Sequence, residues 1–170
     1  MSLQSTQDLA KIGQVFHAAT QAPVTLSGLS TTATGLILVN PFGSGKSLAV
    51  QTVTWAFTTA PVGASIVSIA MSPLQSATAV VLTTPLAVQN AVLLGISSNS
   101  IGRACSAATT VGTPVFLRQL GGPVATAQIN PPYIRDDIDG SIILPPGTSI
   151  QLAFTTTAAV GMASISWVEF

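Results

Sequence analysis

Residues 38–50 read LVNPFGSGKSLAV, and the fold turns on whether this stretch cradles a phosphate or reverses between two strands. The Walker A pattern, G-x-x-x-x-G-K-[ST], holds phosphates with backbone N–H groups and a lysine, and Mg²⁺ with the hydroxyl. Gly45, Lys46 and Ser47 match its second half, and an apolar run from Gly35 to Val39 precedes it as a P-loop strand would. Asn40 stands where the first glycine belongs. The residues after Ser47 decide the matter. A P-loop opens a helix whose N-terminus faces the phosphates. Here the chain continues as LAVQTVTWAFTT, rich in β-branched and aromatic residues. A second acid is also needed to hold Mg²⁺. The acids are Asp8, Asp136, Asp137, Asp139 and Glu169, and none ends an apolar strand in that manner. The stretch therefore reads as a strand-to-strand turn. Asn40-Pro41 ends one strand, Gly43 and Gly45 supply positive φ, and Lys46 stands solvated at the start of the next.

The strand after the turn carries its own signal. Leu48 and Val50 lie on one phase of a period-2 pattern, and Val53, Trp55 and Phe57 on the other. A change of phase within one strand predicts a β-bulge or a bend between sheets. From Pro23 onward the same grammar recurs, with β-rich runs at 33–39, 47–58, 65–71, 114–119, 141–144, 149–155 and 162–169 separated by Gly, Pro, Ser and Asn. Ile150, Leu152 and Phe154 alternate with smaller or polar residues, as do Ala163, Ile165 and Trp167. These two runs read as neighbouring antiparallel strands joined at 155–161. Residues 86–94 fit either a helix capped by Thr84-Pro85 and Gly95 or short strands. Residues 5–19 fit an opening helix, with a capping box at Ser5 and Asp8 and helical spacing of Leu9, Ile12, Phe16 and Ala19, or, more simply, a peripheral arm that is partly helical or extended. The expected architecture is all-β: an N-terminal arm over 1–22 and a single β-sandwich over 23–170, jelly-roll-like.

Composition narrows the function. Charged residues make up 6% of the 170 and the formal net charge is zero, against about 25% charged in ordinary domains. Five Lys and Arg form no stripe, so neither nucleic acid nor an anionic membrane is an expected partner. Apolar stretches are all interrupted before 18 residues, so no membrane span is expected. No signal peptide is visible in MSLQSTQDLAK, which predicts synthesis in a cytoplasm. Cys105 is the only cysteine, which excludes an intrachain disulfide and a cysteine zinc site. Ser and Thr, roughly a quarter of the chain, replace charge as the polar component. So uncharged a surface predicts burial against other subunits.

Catalytic patterns fail one by one. Gly43-Ser44-Gly45 would need glycines at 42 and 46 to make a nucleophile elbow, where Phe42 and Lys46 stand. The sole histidine, His17, lies in the arm with nothing to orient it and reads as a surface or interface residue. RDDIDG, residues 135–140, gathers three acids, but no Glu stands where a calcium loop requires one. It reads as an Asx-rich turn partly neutralised by Arg135. Asp136 and Asp137 lack a third group to make an acid/base pair useful. No catalytic, cofactor-binding or metal-binding residue is assigned, and no cofactor is expected.

Five segments carry a resemblance: GQVFHAATQAPVTL, GLILVNPFGSGKSLAV, TPVFLRQLGG, DDIDGSIILPPGTSIQLAF and SISWVEF. In these the chain resembles small β-rich structural proteins of tailed-bacteriophage virions. The resemblance implies a jelly-roll-like, non-enzymatic homotrimer, made in the host cytoplasm. It would be attached to the particle as a decoration or cement protein that stabilises the capsid, with the major capsid protein or other virion proteins as partners. A tail or fibre component is the second expectation. Residues 72–112 match this family least. A carbohydrate- or receptor-binding β-sandwich is a third, and it would need exposed aromatics near polar groups. Trp55, Trp167 and Tyr133 are the candidates, and both tryptophans lie on apolar strand phases that favour a core or interface.

Overall fold

A computed structural model describes residues 5–59, 63–72, 80–92, 99–122, 133–155 and 158–170. In chain order they form α1 (Thr6–Lys11), β1 (Val15–Ala19), β2 (Val24–Leu26), β3 (Thr32–Asn40), β4 (Leu48–Phe57), β5 (Val67–Met71) and β6 (Val81–Pro85). Next come β7 (Val88–Asn90), β8 (Arg103–Thr109), β9 (Val115–Gly121), β10 (Tyr133–Leu144), β11 (Thr148–Phe154) and β12 (Ala159–Glu169). Two antiparallel sheets pack face to face. Sheet A runs β10-β4-β12-β1-β7, with β2 continuing the β1 edge of β12; sheet B runs β6-β8-β3-β11-β5-β9. The all-β sandwich is as expected from the sequence.

The phase change in β4 is a bulge. Val50 pairs with Trp167, Thr52 pairs with Ser166, and Gln51 is left over between them. On the other side of β4 the register jumps from Asp137 to Ile142. The extra residue turns Leu48 and Val50 onto the face already used by Val53, Trp55 and Phe57, and all five join one core cluster. A strand without the bulge would expose one of these two sets to solvent.

That core lies between the sheets. Trp55 meets Phe57 and Phe154 edge-on, at centroid distances of 5.9 and 6.3 Å, and Phe154 belongs to the opposite sheet. The expectation that 149–155 and 162–169 are neighbouring strands is corrected here. β11 pairs with β3 and β5 in sheet B, whereas β12 lies in sheet A between β4 and β1. Their apolar phases face each other across the core instead of sharing one sheet face. Smaller clusters lie outside it. Ile37, Val39 and Cys105 are buried on the opposite face of β3 and β8. Burial there pushes the Cys105 thiol up to about 12, so it is an inert packing group.

The boundary of the arm is also corrected. Ser5 does cap a helix, and its side chain accepts from the Asp8 amide. The helix stops at Lys11, with Ile12 as its C-cap. Phe16 and Ala19, which share its spacing, belong instead to β1, an interior strand between β12 and β7. Phe16 is buried and stacks on Trp167 at 6.1 Å. Residues 15–19 are therefore part of the sandwich. α1 lies over the outer face of sheet A, where Leu9 and Ala10 pack on Val15, Ala49 and Val168. Of the helix considered for 86–94, residues 86–92 contain the short strand β7, and 93–94 with Gly95 lie outside the described residues.

Candidate functional site

Asn40 shows why residues 41–47 are a turn. Its side-chain amide donates to the Lys46 carbonyl and to the Leu144 carbonyl, both at 2.8 Å. A glycine there, as the Walker pattern requires, would remove both bonds. Gly43 and Gly45 have φ of 76° and 71°, the left-handed region that the turn reading required. The turn carries the chain from sheet B to sheet A. Ser47 then exchanges backbone hydrogen bonds with Phe170, at 2.9 and 3.2 Å, so the ladder begins where a P-loop helix would.

Lys46 does meet an anion, and the anion is the chain's own. Its Nζ lies 3.9 Å from Oε2 of Glu169, whose side chain is 0% exposed. Lys46 is exposed just before β4, as the turn reading expected, and adds this long ion pair. Glu169 is held by a small cage. Its Oε1 accepts from Ser100 Oγ at 2.6 Å, the Ile101 amide at 3.0 Å, the Gly102 amide at 2.9 Å and Trp167 Nε1 at 3.2 Å. Consecutive amides converging on one oxygen form an anion nest. Gly102 is required there because a Cβ would stand 2.8 Å from Trp167 Nε1. The cage ties the 100–102 segment to the end of β12. Its donors are the protein's own groups.

The acidic run at 135–140 is not a turn, which corrects the sequence reading. It lies within β10, the edge strand of sheet A. Residues 138–141 bulge out opposite Gln51, with positive φ at Asp139 and Gly140. Each of the first two acids has its own cation. Arg118 on β9 pairs with Asp136 at 2.8 Å and links the edges of the two sheets. Arg135 pairs with Asp137 at 2.8 Å. The hydrogen bond from Arg135 holds the Asp137 carboxyl below the usual carboxylate range, and the same bond raises the guanidinium. Among the described residues no three His, Cys, Asp or Glu side chains are grouped to hold a metal. We expect EDTA to leave the melting temperature unchanged. Gly140→Val should cost about 1–3 kcal/mol, because a β-branched residue is forced to φ of 76°. Denaturant titration measures this, and a calcium-reversible loss of stability would make the acids metal ligands.

Two surface features remain. The first is a groove on the outer face of sheet A, of about 670 Å³, into which His17, Gln89, Thr52, Thr54 and Ser166 project. Desolvation lowers the His17 pKa below the ordinary imidazole value. Sequence reasoning does not reveal this face, because its polar residues are scattered over five strands. The second is β9. Val115, Phe116 and Leu117 are all exposed, at 48%, 38% and 46%, on the last strand of sheet B. The edge strand β10 of the other sheet carries Arg135, Asp136 and Asp137, which is how edges are ordinarily protected. β9 has only Arg118, and that is spent on Asp136. At the opposite end of sheet B, β6 exposes Val81. Both tryptophans considered as ligand-stacking candidates are fully buried, and Tyr133 is exposed. No helix among the described residues is long and apolar enough to cross a membrane.

In comparisons with known proteins, the chain matches no family, no curated protein and no solved structure.

Proposed function

We propose that the chain is a non-enzymatic structural subunit that assembles as a homotrimer and decorates the capsid of a tailed bacteriophage. The observation that carries the assembly is the exposed apolar row Val115, Phe116 and Leu117 on β9, the end strand of sheet B among the described residues, in a chain with only ten charged side chains. An exposed apolar strand at the end of a sheet is a template for pairing with another chain. A second copy is the occupant that fits. The β9 and β6 edges terminate the same sheet, so joining one to the other continues that sheet from subunit to subunit. Such a head-to-tail contact must close into a ring or grow without limit, and a particle subunit of fixed stoichiometry requires closure. The virion assignment is supported by the resemblance carried by GLILVNPFGSGKSLAV, DDIDGSIILPPGTSIQLAF and the three shorter segments. A subunit whose buried charge and aromatic clusters are all spent on holding its own strands suits a role in which durability matters more than turnover.

Leu117→Asp tests the assembly. It places a carboxylate on the exposed edge, where it should leave the fold intact and dissociate the oligomer. Light scattering would then give a smaller species with an unchanged far-ultraviolet spectrum. An unaltered mass would remove β9 from the interface. Electron cryo-microscopy of the parent particle tests the location: density for this chain on the shell supports decoration, and density on the tail replaces it with a tail or fibre role.

A further inference from the structure

The groove on sheet A is built from side chains in register. One row crosses the sheet as Asp137, Thr52, Ser166, His17 and Gln89, each directly paired with the next. A second row, one pleat along, runs Arg135, Thr54 and Ser164. Neighbouring strands are about 4.8 Å apart, so the rows form a lattice of hydroxyl, amide and imidazole groups at close, regular spacing. Part of it is fixed in place. Thr54 and Ser164 share a hydrogen bond of 2.6 Å, and Thr52 donates to Asp137 at 3.2 Å. A hydroxyl so engaged still has acceptor capacity. His17, Gln89 and Ser166 make no side-chain hydrogen bond among the described residues.

We propose that this groove binds a neutral, polyhydroxylated ligand, an oligosaccharide, through its side-chain lattice. The volume of about 670 Å³ lies within the range of small-ligand sites. The charge pattern selects against anions. Arg135 is already paired with Asp137, and desolvation favours neutral His17, so the face has no free cation to offer. The strand pattern selects against peptides. An extended peptide binds a sheet by adding to an edge, through backbone hydrogen bonds. β1, β4 and β12 are interior strands, and their backbone groups are used in the ladders. Only side chains are left to recognise a ligand here, which suits one studded with hydroxyls. Tyr133, 61% exposed, stands one pleat beyond the second row on β10, two residues before Arg135. α1 packs on another part of this face, where Leu9 and Ala10 meet Val15, Ala49 and Val168. The proposal is independent of the assembly through β9, which lies on the other sheet.

Native affinity electrophoresis tests it. The full chain is run through gels containing dextran, galactomannan or β-glucan, and through gels containing alginate or a casein hydrolysate. We expect retardation by at least one neutral polysaccharide. Gln89→Ala and Ser166→Val should each weaken it about tenfold, the equivalent of one lost hydrogen bond of 1.4 kcal/mol. Phe42→Ser, in the remote turn, should leave it unchanged. These groove side chains are exposed or half-exposed, so their variants should melt like the parent. No retardation by any neutral polysaccharide, retardation unaltered in both groove variants, or retardation by alginate or peptide alone would overturn the proposal.

Discussion

Deletion of residues 1–20 is expected to abolish soluble, folded protein, whereas deletion of residues 1–12 is expected to leave it folded. The two truncations differ by β1. The shorter one removes α1, which contains no buried residue and covers only a small outer cluster. The longer one also takes Phe16 and Ala18 from the core and leaves the edges of β12 and β7 unpaired. Loss of one buried Phe side chain alone costs about 3–5 kcal/mol, and a domain of this size has roughly 5–15 kcal/mol in total. An interior strand cannot be removed within that margin. Expression and circular dichroism of the two truncations check this. A folded 21–170 fragment with the parent melting temperature would show that β1 is dispensable after all.

Glu169→Ala is the point substitution with the largest expected effect, about 3–5 kcal/mol. The change leaves the amides of Ile101 and Gly102 and the indole N–H of Trp167 without their acceptor. It also opens a void beside the buried Trp167 ring. Glu169→Gln keeps the shape but turns an amide donor toward some of these donors, so it should fall between Ala and the parent. Lys46→Ala should cost under about 1 kcal/mol, because its contact at 3.9 Å is long and the lysine is 44% exposed. Urea titrations of the three variants order them. A cost for Lys46→Ala as large as that for Glu169→Ala would show that the ion pair, and not the cage, carries the stability.

The contrast between β4 and this cage explains how much of the molecule is legible in its sequence. The β4 bulge is legible because both apolar phases occur within one ten-residue strand. Alternation in β11 and β12 is equally local, yet it cannot say that they belong to different sheets. That depends on pairing partners far away in sequence. β1 is hidden by coincidence: Phe16 and Ala19 continue the helical spacing of Leu9 and Ile12, although the helix ends at Lys11. β8, RACSAAT, has almost no β-branched residue and gives no strand signal. Glu169 is a lone acid, and its donors from the 100–102 segment lie 67–69 residues earlier in the chain. No spacing rule can bring such groups together. The same holds for the groove, whose rows take one or two residues from each strand.

Sedimentation equilibrium of the purified chain at micromolar concentration tests the central claim most directly. The chain has a mass of 17.2 kDa, and the proposed homotrimer predicts a single species of three times that mass, unchanged on dilution through the micromolar range. A monodisperse monomer across that range would contradict the account.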